Sequence, residues 1–270
     1  MKPARFDYVA AASSDEALAA LANNEAKVLA GGQSLVPLLN MRLARPSMLV
    51  DVNRVPDLDR VELNDSVRIG ALTRQADVLA SPAAAAVPVL AAALRHVGHP
   101  AIRTRGTIGG SLAHADPAAE LPAVLLALDG EVVARSRTGE RTIGAGNLFT
   151  GPFTTALRPD ELLAAVVLPR QDSRPFGFAE LSRRQGDFAL AGAITLLRPA
   201  RIVLFGVTGA PERALEAERA LDEGATSVEV ADIATRDLSP VADVHADGRY
   251  RRRLAAVLVR RAVEQAGARG

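Results

Sequence analysis

The sequence predicts an α+β protein in two parts, a larger domain over residues 1–171 and a smaller α+β domain over 176–270. Three observations carry this. At 270 residues the chain lies in the range where one hydrophobic core divides into two. The stretch Pro169-Arg170-Gln171-Asp172-Ser173-Arg174-Pro175 is polar and bounded by prolines, the composition of a linker. Beyond it, three strand-like runs and two helical ones make a second, smaller α+β layer.

Taken in order, Ser13 and Glu16 have the spacing of a capping box and open a helix over Asp15–Ala22. Lys27–Ala30 reads as a short strand ending at Gly31-Gly32. From Ser34 an apolar run to Leu43 is helical, with Pro37 in its first turn and Pro46 past its end. Met48–Asp51 and Val67–Ile69 are strands, and Thr73–Leu79 is a helix. Ala83–Val97 is helical with an interruption at Pro88. A second Gly-Gly pair, Gly109-Gly110, follows an extended run. Asp116-Pro117 then reads as a cap and first helical residue leading to Ala118–Leu128, with a bend or restart at Pro122. Glu131–Ser136, Arg141–Ile143 and Leu162–Leu168 are β-like. After the linker come strands Phe176–Leu181, Phe188–Leu197 and Arg201–Val207, then helices Glu212–Leu221 and Tyr250–Gln265. In the last helix Leu254, Val257 and Leu258 recur at helical spacing while Arg252, Arg253 and Arg260 fall toward other faces.

Both Gly-Gly turns lead out of extended runs toward helix starts. Lacking a Cβ, paired glycines can take positive φ and let a bulky anion approach backbone N–H groups. A helix N-terminus adds roughly half a positive charge, with Ser34 as the cap of the helix after the first turn. The first turn alone fits an ordinary tight connection equally well. The second carries more: Arg103 and Arg105 precede it, Thr107 and Ser111 offer hydroxyls, and Asp116 and Glu120 follow. Main-chain donors suit phosphate and carboxylates suit sugar hydroxyls, so the pair of loops matches a ligand that is anionic in the middle and hydroxylated on its flanks, a dinucleotide. Asp116 also reads simply as a helix cap, and His114 as either a ligand-facing or a partly solvated loop histidine.

Composition excludes more than it selects. There is no cysteine, which removes disulfides, thiolate metal sites, a catalytic thiol and iron–sulfur ligation within the chain. The 32 Lys+Arg balance 31 Asp+Glu, which argues against a nucleic-acid partner. No apolar run approaches a membrane span and the start at Met1–Asp7 lacks a signal-peptide core, so the expected place is the cytoplasm. Neither turn ends in Gly-Lys-Ser/Thr or supplies Gly-x-Gly-x-x-Gly, which disfavours a P-loop or a standard Rossmann domain. His96 and His99 share a helix face without a third ligand, a structural pair rather than a metal site. No nucleophile elbow or carboxylate cluster offers catalysis, as expected where a cofactor carries the chemistry.

Ala30-Gly31-Gly32-Gln33-Ser34-Leu35-Val36-Pro37-Leu38-Leu39 and the run Arg105-Gly106-Thr107-Ile108-Gly109-Gly110-Ser111-Leu112-Ala113-His114-Ala115-Asp116-Pro117-Ala118-Ala119-Glu120-Leu121-Pro122 closely resemble the two FAD-binding signatures of molybdenum hydroxylase medium subunits. These are the flavoprotein subunits of the carbon monoxide dehydrogenase and xanthine dehydrogenase family. The resemblance continues through Arg183–Leu190 and Tyr250–Arg252, covering nearly the whole chain. It implies a two-subdomain, PCMH-type FAD-binding domain divided near residue 55 (about 1–55 and 56–171), followed by the C-terminal domain. It implies FAD contacts from Ala30, Gly31, Gly32, Gln33, Ser34 and Leu35, and from Arg105, Thr107, Ile108, Gly109, Gly110, Ser111 and His114, both loops giving main-chain donors to the diphosphate. Asp116 and Glu120 would reach the ribityl or ribose hydroxyls, Leu163 would lie near a ring of the cofactor, and Phe188 near the isoalloxazine. No catalytic or metal-binding residue is assigned to this chain. By resemblance, molybdopterin sits on a large partner subunit and two [2Fe–2S] clusters on a small one, in a dimer of heterotrimers. The chain would pass their electrons to an external acceptor; a stand-alone FAD-dependent oxidase or reductase is the alternative. Three departures stand out: Glu180 where many relatives have Lys, Thr104 for a common Asn, and a shortened stretch over Gly192–Gly206.

Overall fold

The computed structural model describes residues 2–22 and 25–270, so Met1 of the N-terminal stretch lies outside it. The chain begins with β1 (Asp7–Ala10), α1 (Ser14–Leu21), β2 (Ala26–Leu29), α2 (Leu35–Asn40) and β3 (Met48–Asp51). The three strands form a parallel sheet in the order β1-β3-β2, with Val9 and Val28 both in register with Val50. Parallel neighbours require crossovers, which α1 and α2 supply. The Ser13 hydroxyl accepts from Glu16 N–H, while the Glu16 carboxylate reaches Ala12 N–H rather than the cap's own. Ala17, Leu18 and Leu21 form the buried face of α1 and pack with Val50, Val52, Leu72 and Leu162. Helix α2 stops at Asn40, short of the expected Leu43, because Arg42 takes a left-handed φ of 58°.

The middle region runs β4 (Val61–Leu63), β5 (Ser66–Gly70), α3 (Gln75–Ala80), α4 (Ala83–Ala86), α5 (Pro88–Leu94), α6 (Pro100–Arg103), α7 (Ile108–His114), α8 (Glu120–Ala127), β6 (Glu131–Ser136), β7 (Gly139–Gly144), α9 (Ala145–Leu148), β8 (Phe149–Gly151), β9 (Thr154–Thr155) and β10 (Leu162–Pro169). Five strands make an antiparallel sheet in the order β4-β5-β10-β6-β7. Pro88 divides α4 from α5, as its spacing predicts. Pro122 causes no bend: α8 starts at Glu120, which puts the proline in the first turn, where its missing N–H is not needed.

The final region holds β11 (Phe176–Ser182), β12 (Ala189–Leu196), β13 (Arg201–Phe205), β14 (Glu212–Arg213), α10 (Leu215–Asp222), α11 (Ser227–Thr235) and α12 (Gly248–Gly267). Its antiparallel sheet, β11-β12-β13-β14, is covered on both faces. Because side chains alternate along a strand, Phe178, Ile194, Leu196, Val203 and Phe205 point into the core shared with α5 and α8 of the middle region. Ala179, Ala191, Ala193, Ile202 and Leu204 point to α12 and α11. Glu212-Arg213 pairs as a strand where a helix start was expected. Helix α11, absent from the helices the sequence predicts, opens on a Thr226/Glu229 capping box. In the shortened stretch, the register Leu196↔Arg201 leaves Leu197–Ala200 as the whole connection.

The proline-bounded segment before β11 is anchored rather than free. Gln171 is 3% exposed; its Oε1 accepts from Val89 N–H at 2.8 Å and its Nε2 donates to Arg174 O at 3.0 Å. Val89 N–H is an orphan of the first turn of α5, so a long-range side chain caps that helix.

Gly177 on β11 lies so close to α12 that a Cβ there would collide with the carbonyl of Ala262. Gly177→Ala is expected to destabilise the chain by about 1–3 kcal/mol, lowering Tm by roughly 2–4 °C per kcal/mol. Gly144→Ala, whose new methyl meets nothing within 4 Å, is the control and should leave the melt unchanged. Equal melting curves for the two variants would contradict this packing.

Candidate functional site

The first glycine loop, Ala30–Ser34, leaves the carboxyl end of β2 and enters α2. Gly32 has φ 75°, the left-handed region that glycine tolerates. Gly31 is needed for another reason: a Cβ there would run into the carbonyl of Arg105 on the second loop. Ser34, expected to cap α2, has helical backbone angles and makes no side-chain capping bond. The helix therefore starts with its donors uncovered. Among the described residues, none of the backbone N–H groups of Ala30, Gly31, Gly32, Gln33 and Ser34 donates to a protein acceptor. Gln33 Nε2 donates to Gly31 O at 3.2 Å, and Leu35 opens the helix half-buried.

The second loop is not preceded by an extended run. Helix α6 comes first, and Thr107 then caps α7, its hydroxyl accepting from Gly110 N–H at 3.0 Å. Both glycines lie in the first turn of α7 with ordinary helical angles; positive φ is not their purpose. Gly109 abuts Ala71, so its absent Cβ permits close packing on the chain after β5. The donors here are already engaged: Ile108 N–H bonds Thr73 O, Gly109 N–H bonds Ala71 O, and Ser111 N–H bonds Thr107 O. What α7 offers outward is the face of Gly110, Ser111 and His114, while Thr107 is buried at its start and Ile108 and Leu112 point into the core. His114 packs on Phe153 at a centroid distance of 5.2 Å, and burial lowers its pKa. Asp116 caps a turn rather than a helix, its Oδ1 accepting from Ala118 N–H at 2.9 Å; Ala115, at φ 50°, has already ended α7.

The two loops meet. A Cβ built on Gly110 would lie 3.8 Å from Ala30 Cβ. Behind them runs a polar network that the sequence reading missed. Arg74 donates to Arg105 O and to Asn53 Oδ1, both at 2.7 Å, and Asn53 Nδ2 donates to Ala30 O at 2.9 Å and to Asp51 Oδ1 at 2.6 Å. Asp51 in turn accepts from Tyr8 hydroxyl at 2.5 Å. Nothing in the spacing of these residues announces the network, because its members come from separate elements.

Comparison with known proteins places this arrangement. Residues 4–171 match the family described as the FAD binding domain in molybdopterin dehydrogenase, and residues 176–266 match the CO dehydrogenase flavoprotein C-terminal domain. The chain belongs to the molybdopterin dehydrogenase FAD-binding family. It is 43% identical to the nicotine 6-hydroxylase medium subunit of Paenarthrobacter nicotinovorans, and 34% identical to the carbon monoxide dehydrogenase medium chain of Hydrogenophaga pseudoflava. Each alignment covers 100% of this chain, and 100% and 99% of the relative. Among solved structures, it superposes at a TM-score of 0.95 and 36% identity on a chain of carbon monoxide dehydrogenase from Hydrogenophaga pseudoflava lacking the Mo-pyranopterin moiety, covering 100% of this chain and 99% of that one. It does so equally, at 0.95 and 36%, on a chain of quinoline 2-oxidoreductase from Pseudomonas putida 86, covering 99% of each. This is a medium, FAD-carrying subunit of a molybdenum hydroxylase, an oxidoreductase.

In this FAD subunit the remaining expected site residues differ widely in exposure. Leu163, on β10, is 5% exposed and points into the core of the middle region. Phe188 is 67% exposed just ahead of β12. Glu120 is buried at the start of α8. Burial, then the charge of Glu180, pushes its pKa up to about 8. The side chain of Glu180 is 1% exposed, its Oε2 has no hydrogen-bond partner, and His96 Nδ1 stands 3.7 Å away. Burial raises Glu180 to about 7 and lowers His96, whose ring packs on Phe178 at 4.9 Å. The charge reversal expected at position 180 is therefore muted near neutrality. Among the described residues, no group of three or more His, Cys, Asp or Glu side chains could hold a metal. No described helix is long and apolar enough to cross a membrane.

The two raised carboxyls fix a pH dependence. Both pKa values lie above the ordinary 4.5, so between about 4.5 and 8 the folded chain holds more protons than the unfolded one. Stability contributed by these groups is full below that window and falls as pH rises through it. Glu180→Gln should thus raise Tm at pH 8 by several degrees over the parent, with little gain at pH 4.5. Melting curves whose Tm difference does not change with pH would contradict this.

Proposed function

We propose that FAD lies across the facing loops, its diphosphate on the N–H groups of Ala30–Ser34 and its sugar hydroxyls toward Ser111 and Asp116. The observation that supports this is the run of consecutive donors without a protein acceptor, set opposite the open face of α7. Backbone donors on a glycine loop suit an anion that must come close to the main chain. Because the N–H groups of Ile108, Gly109, Gly110 and Ser111 are engaged within the protein, the second loop's share is the smooth surface of Gly110 and the hydroxyl of Ser111. Arg105 and His114 flank that surface and Gln33 and Leu35 border the first loop; Phe188 would approach from the C-terminal part. Glu120, protonated near neutrality, would be a hydroxyl donor rather than an anion there. When bound, FAD accepts electrons singly and releases them in pairs.

In this reading residues 1–171, with subdomains meeting near residue 55, hold the cofactor, and 176–270 form the C-terminal domain. The donor is a small subunit carrying two [2Fe–2S] clusters, fed by a large molybdopterin subunit, in a dimer of heterotrimers in the cytoplasm. The acceptor is NAD, a quinone or oxygen. The absence of cysteine agrees with a chain that holds no cluster of its own. Stopped-flow flavin absorbance tests the assignment. The isolated chain loaded with FAD should show no reduction by a hydroxylase substrate, and adding the small and large subunits should produce it. Rapid reduction of the isolated chain by an organic substrate would point instead to a stand-alone oxidase.

Gly110→Val tests the placement. The new side chain would meet Thr107 Oγ1 at 2.6 Å and narrow the gap to Ala30. Flavin binding should be lost while the melting temperature of the flavin-free chain shifts by only a few degrees. A variant that stays yellow with unchanged affinity would put Gly110 outside the site.

A further inference from the structure

We propose that Arg74 is the positioning residue of the cofactor site: its guanidinium fixes the separation of the two glycine loops and aims the first loop's donors, and so sets the preference for a diphosphate ligand over a mononucleotide. The inference rests on the placement of FAD proposed above. Arg74 stands at the N-cap of α3 in extended conformation and bridges Thr107, so its backbone already belongs to the second loop's support. From there one fork of the guanidinium holds Arg105 O, and the other holds Asn53 Oδ1.

Two peptide planes follow from those bonds. In a trans peptide the carbonyl and the next N–H point in opposite directions. With Ala30 O drawn onto Asn53 Nδ2, the N–H of Gly31 must point away from the network, and it is one of the donors with no protein acceptor. The carbonyl of Arg105, held by Arg74, is the same one against which Gly31 packs without room for a Cβ. Arg74 therefore fixes the gap directly on one side and through Asn53 on the other. Asp51 locks the Asn53 amide by accepting from both its N–H and its side chain, and Tyr8 holds Asp51.

The charge agrees with the geometry. Among the described residues Arg74 makes no ion pair with a carboxylate, and burial and the neighbouring Arg105 lower its pKa. Asp51, Asp59 and Asp77 oppose that shift without pairing with the guanidinium, and a half-buried cation bonded directly to the back of the second loop, and through Asn53 to the first, favours an anion between them. A planar fork is required, because a lysine can satisfy only one of the two acceptors with the same directionality.

The test measures FAD and FMN dissociation constants on the flavin-free full-length chain, for the parent, Arg74→Ala, Arg74→Lys, Asn53→Ala and the double variant. Each melting temperature is recorded alongside. Arg74→Ala should lose ~30-fold in FAD affinity and less than ~3-fold in FMN affinity, collapsing the FAD/FMN ratio, with Arg74→Lys recovering part of the loss. Asn53→Ala should fall between, and the double variant should be no worse than Arg74→Ala alone, as coupled residues behave. An unchanged FAD/FMN ratio in Arg74→Ala, or equal losses for both flavins together with a large drop in Tm, would overturn the proposal. A parent chain with no preference for FAD over FMN would instead overturn the cofactor placement on which it rests. Should Arg74→Ala fail to fold, Asn53→Ala decides by the same ratio.

Discussion

Gly31 rests on the carbonyl of Arg105 with no space for a side chain between them, and that contact closes the parallel sheet of the first region onto the helices of the second. It joins two loops 74 positions apart in sequence, and Gly31 is glycine because of the other loop. The rest of the site is arranged to make the contact possible. Gly109 sinks onto Ala71 so that α7 can come close, and Thr107 turns the start of α7 so that the glycine face looks outward. The division of labour is unequal. The first loop keeps its donors free, whereas the second spends its own on the protein and gives surface instead.

The C-terminal sheet shows the same economy of packing. Its alternate residues serve two cores, one face completing the hydrophobic interior of the middle region and the other seating α12. Polar ties cross the same seam: Arg201 and Arg213 reach Asp129, and Gly206 N–H bonds Pro117 O at 2.7 Å. The Glu120–Glu180 pair also lies across it, one carboxyl from α8 and one from β11. A buried carboxyl with an oxygen left unpaired is a cost that a folded chain seldom carries, and proton uptake is how this one reduces it.

Much of this was legible in the residues. Alternating or continuous apolar runs gave β3 and β6 with their observed bounds, and β10 to within a residue, because sheet periodicity is a local signal. Pro88 marked a real break, since a proline cannot continue the helix that precedes it. The loops were found from their glycines, but the reason was misread at the second: positive φ and close approach leave the same letter, and only tertiary neighbours separate them. Asp116 reads as a helix cap because Asx turns and helix caps share a sequence signature. Asn53 and Arg74 were invisible, since each acts through a carbonyl distant in sequence, and carbonyls have no letter of their own.

Gln171 has a consequence for how the two family segments relate. They are separated in sequence at residues 172–175, yet the residue that ends the first is buried against α5 and holds its first turn. Phe178, Ile194 and Val203 complete an interior begun by Val89, Leu90 and Leu125. Cut at that seam, each piece would show water an apolar face, and Gln171 Nε2 would lose the carbonyl of Arg174. The two segments are thus two family matches that share one interior, and a shared interior couples their unfolding.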